Sequence, residues 1–486
     1  MSYVDENSSH QRDSDSYQRD ITNQRYSDSY QRDSDSYRSD SSYQRDSDSY
    51  QRDSDSYQRD SDSYPKKSNS SQKKSNSAQK RSNSFQKENN PFKNINLRHF
   101  DFWLFLSVIV LLSMGLIMIF SASAPSSASK FNGDVYYIFR NQLNNAAIGL
   151  AVMLIVAFIP YGFWKKMAIP ILIVSLGLVV VVILPGMSVI TKGTKRWLYI
   201  GPINFQPSEL AKFGLICFLA ASLSVHKERL KRFFSGFLVY FGVAIMFVVL
   251  ILLEPHLSCA IIIVSVSGIV LFAAGAKLWH FLVVTAPVIG GGAFLILFVP
   301  YFSYMKTRVF TFLDPWQDRT GDGFQIIQSL FAIGSGGLFG KGLGKSMQKF
   351  LYIPEPHNDF IFAILAEELG FVGVFTVLAL FGIFIVRGIK ISIMAKDTFA
   401  SLFAAGLTSL IAVQSLLNIA VVTASAPVTG ISLPFFSYGG TSLILFMAEA
   451  GILLNISKNT NVDTVLSPLE INTAKSTLDK VIKARA

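Results

Sequence analysis

Apolar runs of roughly 20 residues follow one another through most of the chain after residue 100. There are ten, near 101–123, 143–161, 166–186, 207–225, 234–253, 257–275, 278–300, 358–386, 399–423 and 435–456. Each run is long enough to cross about 30 Å of hydrocarbon as a helix. A large soluble helical core is a poor alternative, because half of the chain is hydrophobic and only 16% is charged. The sequence therefore predicts an all-α integral membrane protein with about ten transmembrane helices and a large loop between helices 7 and 8.

Basic residues at the ends of the short connections predict the orientation. They follow the second, fourth, sixth and eighth runs, at Lys165, Lys166, Lys227, Arg229, Lys231, Arg232, Lys277, Arg387, Lys390 and Lys396. The connection after the fifth run has no Lys or Arg. Because Lys and Arg in short connections stay on the cytoplasmic side, both termini are predicted to be cytoplasmic. Two long connections, 187–206 and 301–357, are then extracytoplasmic. The formal charge of +11 lies mostly at these membrane edges, so no nucleic-acid partner is expected.

The first 98 residues have a different composition and repeat every seven residues. Copies of Tyr-Gln-Arg-Asp-Ser-Asp-Ser begin at Tyr43, Tyr50 and Tyr57. One Tyr per repeat cannot supply a coiled-coil seam, and so polar a segment buries too little surface to fold. The sequence predicts a disordered cytoplasmic tail at 1–98, a membrane domain at 99–457 and a short cytoplasmic tail at 458–486. The basic stretch 66–87 is either a solvated linker or a contact with anionic membrane lipid.

Charged residues inside the apolar runs each require an explanation, because charge is costly in a membrane. Glu209 and Lys212 stand three residues apart in the fourth run, which places them on one helix face as an ion pair. Glu367 and Glu368 interrupt the eighth run, and Glu449 interrupts the tenth. At least one residue of each set is expected to face a polar interior rather than lipid.

The connection 301–357 is the strongest candidate site, because long ordered loops are usually functional. Its sequence contains DPWQDR at 314–319, a glycine-rich stretch at 334–344, and PEPHND at 354–359. Carboxylates, an Arg, a His and several Lys thus gather at one membrane surface, which suits chemistry on a lipid-linked anion; a solvated loop with scattered charge is the alternative. GKS at 344–346 imitates the end of a nucleotide-binding loop, but Phe339 replaces the first glycine and no strand precedes it. No nucleotide is expected.

Several stretches taken together resemble the SEDS family (shape, elongation, division, sporulation), most closely its FtsW branch. They are GTKRW at 193–197, QPSELAK at 206–212, DPWQD at 314–318, PEPHNDF at 354–360 and PFFSYGGTS at 434–442. Shorter matches fall at 113–123, 328–329, 334–337, 340–342 and 366–368. The resemblance covers residues 100–456. Two departures are Asn358, where many members have Thr, and EPHLS at 254–258, where many members have a Pro-Asp-x-Gly-Thr stretch.

The resemblance implies a peptidoglycan glycosyltransferase of the bacterial plasma membrane. Such an enzyme polymerises lipid II, releases undecaprenyl diphosphate, and works with a class B penicillin-binding protein and other division proteins. It implies that Asp318 is catalytic, as the base that accepts a proton from the attacking sugar hydroxyl; Asp322 and Asp359 are rival carboxylates. Substrate-binding candidates are Lys195, Arg196, Trp197, Glu209, Lys212, Arg319, Gln328, Ser329, Glu355, His357, Asp359, Ser437, Gly439 and Gly440. The leaving diphosphate requires positive charge, from Arg or Lys or from a divalent cation such as Mg or Mn.

Two other functions compete with this reading. A flippase for the same lipid-linked precursor would have a comparable number of helices with buried charge. A flippase would, however, hold its substrate near the membrane midplane and would usually have two symmetric halves. This sequence shows no such internal symmetry. A non-catalytic scaffold for the division machinery would leave the carboxylate-rich loop unexplained.

Overall fold

The computed structural model of the chain describes residues 100–184, 189–191, 194–200, 203–254, 256–300, 303–319, 321–350, 352–428 and 430–460. The predicted tail at 1–98, with its basic stretch at 66–87, lies outside these residues. So does the C-terminal segment 461–486. The disorder predicted for the first segment therefore stays a prediction.

Helices dominate the part of the chain that the structure describes. In chain order they are α1 (Phe102–Lys130), α2 (Tyr137–Phe158), α3 (Tyr161–Ile183), α4 (Pro207–His226), α5 (Leu238–Leu253), α6 (Leu257–Ala273), α7 (Leu278–Phe298), α8 (Ser303–Leu313), α9 (Asp322–Gly336), α10 (Ile361–Ile393), α11 (Thr398–Val422) and α12 (Gly440–Ser457). Short 3-10 and π turns at Lys227–Lys231 and Phe233–Phe237 join α4 to α5, and a 3-10 turn at Pro315–Gln317 follows α8.

Nine helices in the described residues are long and apolar enough to cross a membrane. They are α1 to α5, α7 and α10 to α12. Helix α6 is apolar but has only 17 residues. These ten helices coincide with the ten predicted runs, which confirms the predicted all-α membrane fold. Helices α8 and α9 lie in the long connection between α7 and α10.

The connection between α3 and α4 contains a small antiparallel sheet that the sequence analysis did not predict. Its strands are β1 (Val189–Thr191), β2 (Thr194–Ile200) and β3 (Ile203–Phe205), in the order β1-β2-β3. Trp197 lies opposite Val189, and Leu198 lies opposite Phe205. β-branched and aromatic residues favour such pairing, but the segment is too short to stand out beside the apolar runs.

Alternation of the spanning helices defines two ends of the bundle. The connections 131–136, 184–206, 254–256, 299–360 and 423–439 share one end, called the loop-rich end below. The opposite end is fixed by polar contacts between helix termini. Asp101 caps α1 by accepting from Leu104 N, and its carboxylate pairs with Arg387 of α10 at 2.6 Å. Asn455 of α12 donates to Ala157 O of α2.

Helix α10 is interrupted at Gly370, whose φ of 65° is not helical. The interruption would leave backbone groups without helical partners, which is costly at membrane depth. Loop 337–342 supplies those partners through backbone hydrogen bonds: Phe371 N donates to Gly337 O, Val372 N to Leu338 O, Lys341 N to Glu367 O, and Gly342 N to Glu368 O, at 2.9 to 3.1 Å. A Cβ at Gly340 would overlap the carbonyl oxygen of Glu368, so only glycine allows this approach.

The two carboxylates before the interruption bind Lys341 of this loop and residues 346–349, which follow it. Glu367 accepts from Lys341 Nζ at 2.7 Å, from Ser346 Oγ, and from the backbone N–H groups of Met347 and Gln348. Glu368 accepts from Ser346 N, from Lys349 Nζ at 3.0 Å and from Ser121 Oγ of α1. Both side chains are fully buried, as expected for charges that avoid lipid.

Candidate functional site

Asp318 lies at the end of a tight turn that the local sequence builds. Asp314 begins the turn by accepting from Trp316 N at 3.2 Å and from Gln317 Nε2 at 2.9 Å. Asp318 ends it, half-buried, and accepts from Gly321 N at 2.9 Å, directly before the first turn of α9. The positive end of a helix dipole favours a carboxylate there. The turn therefore presents an oriented and accessible carboxylate at the loop-rich end.

Arg319 is exposed, and its described contacts are with Trp316. Its Nε donates to Trp316 O at 3.2 Å, and its guanidinium lies 5.9 Å from the centre of the Trp316 ring. Trp316 in turn contacts the Phe331 ring of α9. The described contacts of Arg319 are thus local ones that stiffen the turn.

Glu209 and Lys212 form the predicted ion pair inside the bundle. Lys212 Nζ donates to Glu209 Oε1 at 2.8 Å and to Gln414 Oε1 of α11 at 2.6 Å. The two charged side chains are only 2% and 7% exposed. Gln414 extends this hydrogen-bond network, because its Nε2 donates to Ser432 O at 3.1 Å. The pair therefore links α4 to α11 and to the connection before α12.

The connection 423–439 is held by polar side chains from several elements. Asn418 of α11 donates to Asp359 O at 2.9 Å and to Ile431 O at 2.7 Å. Arg308 of α8 donates to Val428 O at 3.2 Å. Asp359 therefore lies beside this connection through its backbone, which brings the end of the long loop and the last connection together.

The motif at 434–442 is shaped by Gln142 of α2. The Gln142 amide donates to Ser437 O at 3.3 Å and accepts from Gly439 N at 3.2 Å. Ser437 Oγ accepts from Leu433 N at 2.8 Å, and Gly440 begins α12. These contacts determine the backbone path into α12, so Ser437 and Gly439 have local structural roles.

The motif at 354–360 contacts both the last connection and α1. His357 O accepts from Tyr438 N at 2.9 Å, and the two rings meet edge to face at 5.6 Å. Glu355 pairs with Lys130 of α1 at 2.9 Å and accepts from Asn358 Nδ2 at 2.8 Å. The predicted residues His357 and Glu355 are thus both placed at the loop-rich end.

The remaining predicted residues lie on β2 and α9. Arg196 and Trp197 are half-buried on β2, and Arg196 Nε donates to Glu254 O at 3.2 Å. Lys195 lies opposite Ile190 in the sheet. Ser329 of α9 is buried and donates to Val422 O at 2.7 Å, whereas Gln328 is half-buried. Ser329 therefore has a packing role between α9 and α11.

Comparison with known protein families shows which family the chain belongs to. A family described as cell cycle protein, comprising FtsW, RodA and SpoVE, matches residues 102–462. The chain belongs to this FtsW/RodA/SpoVE family. Stage V sporulation protein E of Bacillus subtilis (strain 168) is 41% identical over 74% of this chain and 97% of its own length. The probable peptidoglycan glycosyltransferase FtsW of Geobacter sp. (strain M18) is 39% identical over 74% of this chain and 96% of its own length.

Solved structures of the same family share the fold. One is a chain from "Structural coordination of polymerization and crosslinking by a peptidoglycan synthase complex", with a TM-score of 0.60 and 29% identity. The rod shape determining protein RodA of Thermus thermophilus gives a TM-score of 0.54 at 27% identity. Each comparison covers 74% of this chain and 98% of the other. The SEDS resemblance is confirmed, and the chain is a multi-pass bacterial membrane protein.

A divalent cation was one source of positive charge expected for this SEDS family member. Among the described residues, no group of three or more His, Cys, Asp or Glu side chains is arranged to hold a metal ion. In the described part of the chain, protein side chains alone therefore do not form a metal site.

The sequence analysis did not predict several polar residues that the fold brings to the loop-rich end or to the buried pair, among them Gln142 and Lys130. Gln414 and Asn418 stand four residues apart in the otherwise apolar α11, a spacing that places both on one face. Glu254 was noted only as part of a departure from the family pattern. Arg308 carried no signal in the sequence, because only the fold shows what α8 packs against.

Proposed function

We propose that this chain polymerises lipid II into glycan strands at the outer surface of the bacterial plasma membrane and releases undecaprenyl diphosphate. Two relatives named probable peptidoglycan glycosyltransferase FtsW are 39% and 40% identical over 96% and 95% of their own length. The chain is accordingly a peptidoglycan glycosyltransferase of cell division or of sporulation. The observation that carries the catalytic assignment is the half-buried Asp318 carboxylate at the loop-rich end.

The reaction joins two sugars by displacing a diphosphate. The bond between the anomeric carbon and the diphosphate oxygen breaks, and a new bond forms from that carbon to an acceptor hydroxyl oxygen. Asp318 accepts the hydroxyl proton as the oxygen attacks. The departing diphosphate keeps the electron pair of the broken bond, so cationic side chains near it stabilise the transition state.

The buried and exposed candidates differ in the role that their contacts support. Glu209, Lys212 and Ser329 are buried and bonded within the bundle, which favours an indirect role in shaping the site. Arg196, Arg319 and Gln328 are half-buried or exposed and remain the better candidates for direct contact with substrate. Direct substrate contact by any of them remains a prediction.

Orientation and partners extend the proposal. The basic residues flanking the short connections support a cytoplasmic location for both termini, with the loop-rich end outside. The similarity to a chain of a peptidoglycan synthase complex supports a class B penicillin-binding protein as partner. Further division proteins, and a divalent cation shared with the substrate diphosphate, remain expectations.

The test is polymerisation of labelled lipid II by the purified full chain, with and without its partner. Asp318→Asn should lower the rate by at least roughly 10²- to 10⁴-fold, the usual contribution of a positioned general base. Asp314→Asn is the matched control in the same turn, because an Asn oxygen can still accept from Trp316 N. Asp314→Asn should lower the polymerisation rate far less than Asp318→Asn does.

The outcome also separates the competing functions. An Asp318→Asn protein that still makes long glycan would remove the catalytic assignment. A wild-type chain that moves lipid II across vesicles without polymerising it would favour the flippase. A chain that does neither, but binds its partner, would favour the scaffold.

A further inference from the structure

Two connections pack together at the end of the bundle opposite the loop-rich end. Residues 227–237 join α4 to α5, and residues 274–277 join α6 to α7. The His280 ring, in the first turn of α7, contacts the rings of Phe233 and Phe237, with centroid distances of 5.4 and 5.2 Å. Because these aromatic contacts hold the two connections side by side, their exposed residues form one surface.

Five exposed basic side chains lie on this surface. They are Lys227, Arg229, Lys231, Arg232 and Lys277, and they are called the basic corner below. Lys227 extends towards the second connection, since its Cε would lie 3.8 Å from a Cβ added at Gly275. Glu228, which pairs with Lys231 at 2.5 Å, is the only acidic residue in the sequence of either connection. Five positive charges and one negative charge leave a net formal charge of +4.

Other basic residues at this end of the bundle have partners within the protein. Arg387 pairs with Asp101 at 2.6 Å, and Lys458 Nζ donates to Ala157 O at 2.9 Å. In the described part of the chain, Lys231 is the only member of the basic corner with an ion-pair partner. The charge of the basic corner is therefore available to a ligand from outside the chain.

Large apolar side chains flank the basic corner and are exposed as well. Phe234 follows Arg232 by two positions and is 78% exposed, and Trp279 follows Lys277 by two positions and is 68% exposed. Trp279 belongs to the first turn of α7, which is long and apolar enough to cross a membrane. Exposed aromatic side chains beside Lys and Arg are typical of the boundary between lipid headgroups and hydrocarbon. The surface therefore lies where headgroups and acyl chains meet.

An anionic phospholipid matches both the charge and the apolar rings of this surface. Its phosphodiester accepts hydrogen bonds from Lys and Arg, and each basic residue near an anionic headgroup strengthens the binding. Its acyl chains cover Phe234 and Trp279. Inorganic phosphate would match the charge but leave both rings in water. The same holds for an acidic peptide such as the tail repeats, which carry two Asp and one Arg each.

We propose that the basic corner binds the headgroup of an anionic phospholipid whose acyl chains lie against Phe234 and Trp279. The bound lipid joins the connection before α5 to the connection before α7. That link stabilises the position of α7, whose Leu282, Ile289 and Phe298 are 64%, 66% and 70% exposed. The proposal is independent of the polymerase function.

The test measures binding of phosphatidylglycerol to the purified full chain in detergent by native mass spectrometry, against phosphatidylcholine of the same chain length. The wild-type chain should retain phosphatidylglycerol in preference to phosphatidylcholine. The double variant Arg229→Gln/Arg232→Gln should weaken phosphatidylglycerol binding by roughly 10- to 30-fold, the usual contribution of two basic residues at an anionic surface. An affinity equal to that of wild type would overturn the proposal.

Lys165→Gln/Lys166→Gln is the matched control, because it removes the same charge from exposed residues at the same end of the bundle. This control should bind the tightest phosphatidylglycerol molecule like wild type. Equal weakening by both double variants would show a general charge effect and contradict a site at the basic corner. Phe234→Ala keeps all five basic residues and should weaken binding on the order of 10-fold, the worth of burying an aromatic ring. Unchanged binding by Phe234→Ala would refute the contact with acyl chains.

A measurement on the wild-type chain covers the case in which a variant fails to fold. Phosphatidylglycerol with a diazirine in its acyl chain should crosslink preferentially to peptides that contain Phe234 or Trp279. Crosslinks spread evenly over the lipid-facing helices would overturn the proposal. Displacement of the lipid by a peptide of three tail repeats would make the tail the ligand. Displacement by inorganic phosphate at the same concentration would leave a site for a free anion, and either displacement would show the lipid assignment to be wrong.

Discussion

Breaking the Glu209–Lys212 pair should destabilise the protein strongly, because both charges are buried. Lys212 Nζ has two acceptors, Glu209 Oε1 at 2.8 Å and Gln414 Oε1 at 2.6 Å, and the side chain is 2% exposed. Lys212→Met leaves the buried Glu209 carboxylate without its cationic partner, and Glu209→Gln leaves the Lys212 ammonium without the carboxylate that it contacts at 2.8 Å. Removing one partner of a buried pair costs roughly 3–5 kcal/mol. The double variant removes both charges of the pair and should recover most of that loss.

Thermal unfolding in detergent measures the effect, with a thiol-reactive dye that reports the two buried cysteines, Cys217 and Cys259, as they become exposed. Each single variant should melt roughly 5–10 °C below wild type. The chain offers a matched control in Glu228 and Lys231, which have the same residue types at the same spacing. Their side chains are 79% and 67% exposed. Breaking that pair should leave the melting temperature unchanged.

The charge-swapped variant tests the geometry around the pair. With Lys at position 209 and Glu at 212, Gln414 would have to turn its amide to donate, and it would lose its bond to Ser432 O at 3.1 Å. The swap should therefore recover only part of the lost stability. Full recovery would refute this account of Gln414. Single variants as mild as the exposed control would refute the buried-charge argument itself.

Three further predictions follow from single positions. Gly340→Ala should lower stability by at least about 1–3 kcal/mol, because a Cβ there overlaps the α10 backbone at a φ of 75°. Gly334→Ala, which meets open space, should be neutral or stabilising in the same melting assay. Burial raises the pKa of Glu254 to about 8, so the folded chain keeps a proton that the unfolded chain loses near pH 4.3. The contribution of Glu254 to the free energy of unfolding should therefore be fully present below about pH 4 and be lost as the pH rises to about 8. Glu254→Gln should remove this dependence of the melting temperature on pH. An impermeant thiol reagent should label a cysteine at Lys345 and not one at Lys390, in a chain without native cysteines; the reverse pattern would contradict the orientation.

The apolar runs predicted the spanning helices because the length and hydrophobicity of a run are properties of that segment alone. The bounds differ where helical residues are not apolar. Helix α1 continues to Lys130, beyond the predicted end at residue 123, through a stretch rich in Ser and Ala. Helix α2 begins at Tyr137, before the predicted start at 143, because its first turns carry Arg and Asn. Hydrophobicity locates the membrane part of a helix, and it does not report the solvated turns beyond.

The parts of the site that sequence reasoning predicted depend on local spacing. Glu209 and Lys212 are three residues apart, so a helix brings them together without further information. Gln414, which completes their contacts, lies on another helix, and only the packing of α4 against α11 shows it. The interruption at Gly370 was likewise invisible, since glycine is common within membrane helices and its partners lie in loop 337–342.

That interruption ties the position of Asp318 to the membrane-spanning bundle. A break in a spanning helix is tolerated only where protein groups replace its lost hydrogen bonds, and loop 337–342 replaces those of α10. The loop directly follows α9, and α9 begins just after the turn that ends at Asp318. A Cβ at Gly323 would overlap Asp318 O, so the turn also rests closely on the start of α9. A continuous path of backbone contacts therefore runs from α10 through loop 337–342 and α9 to the turn that presents Asp318.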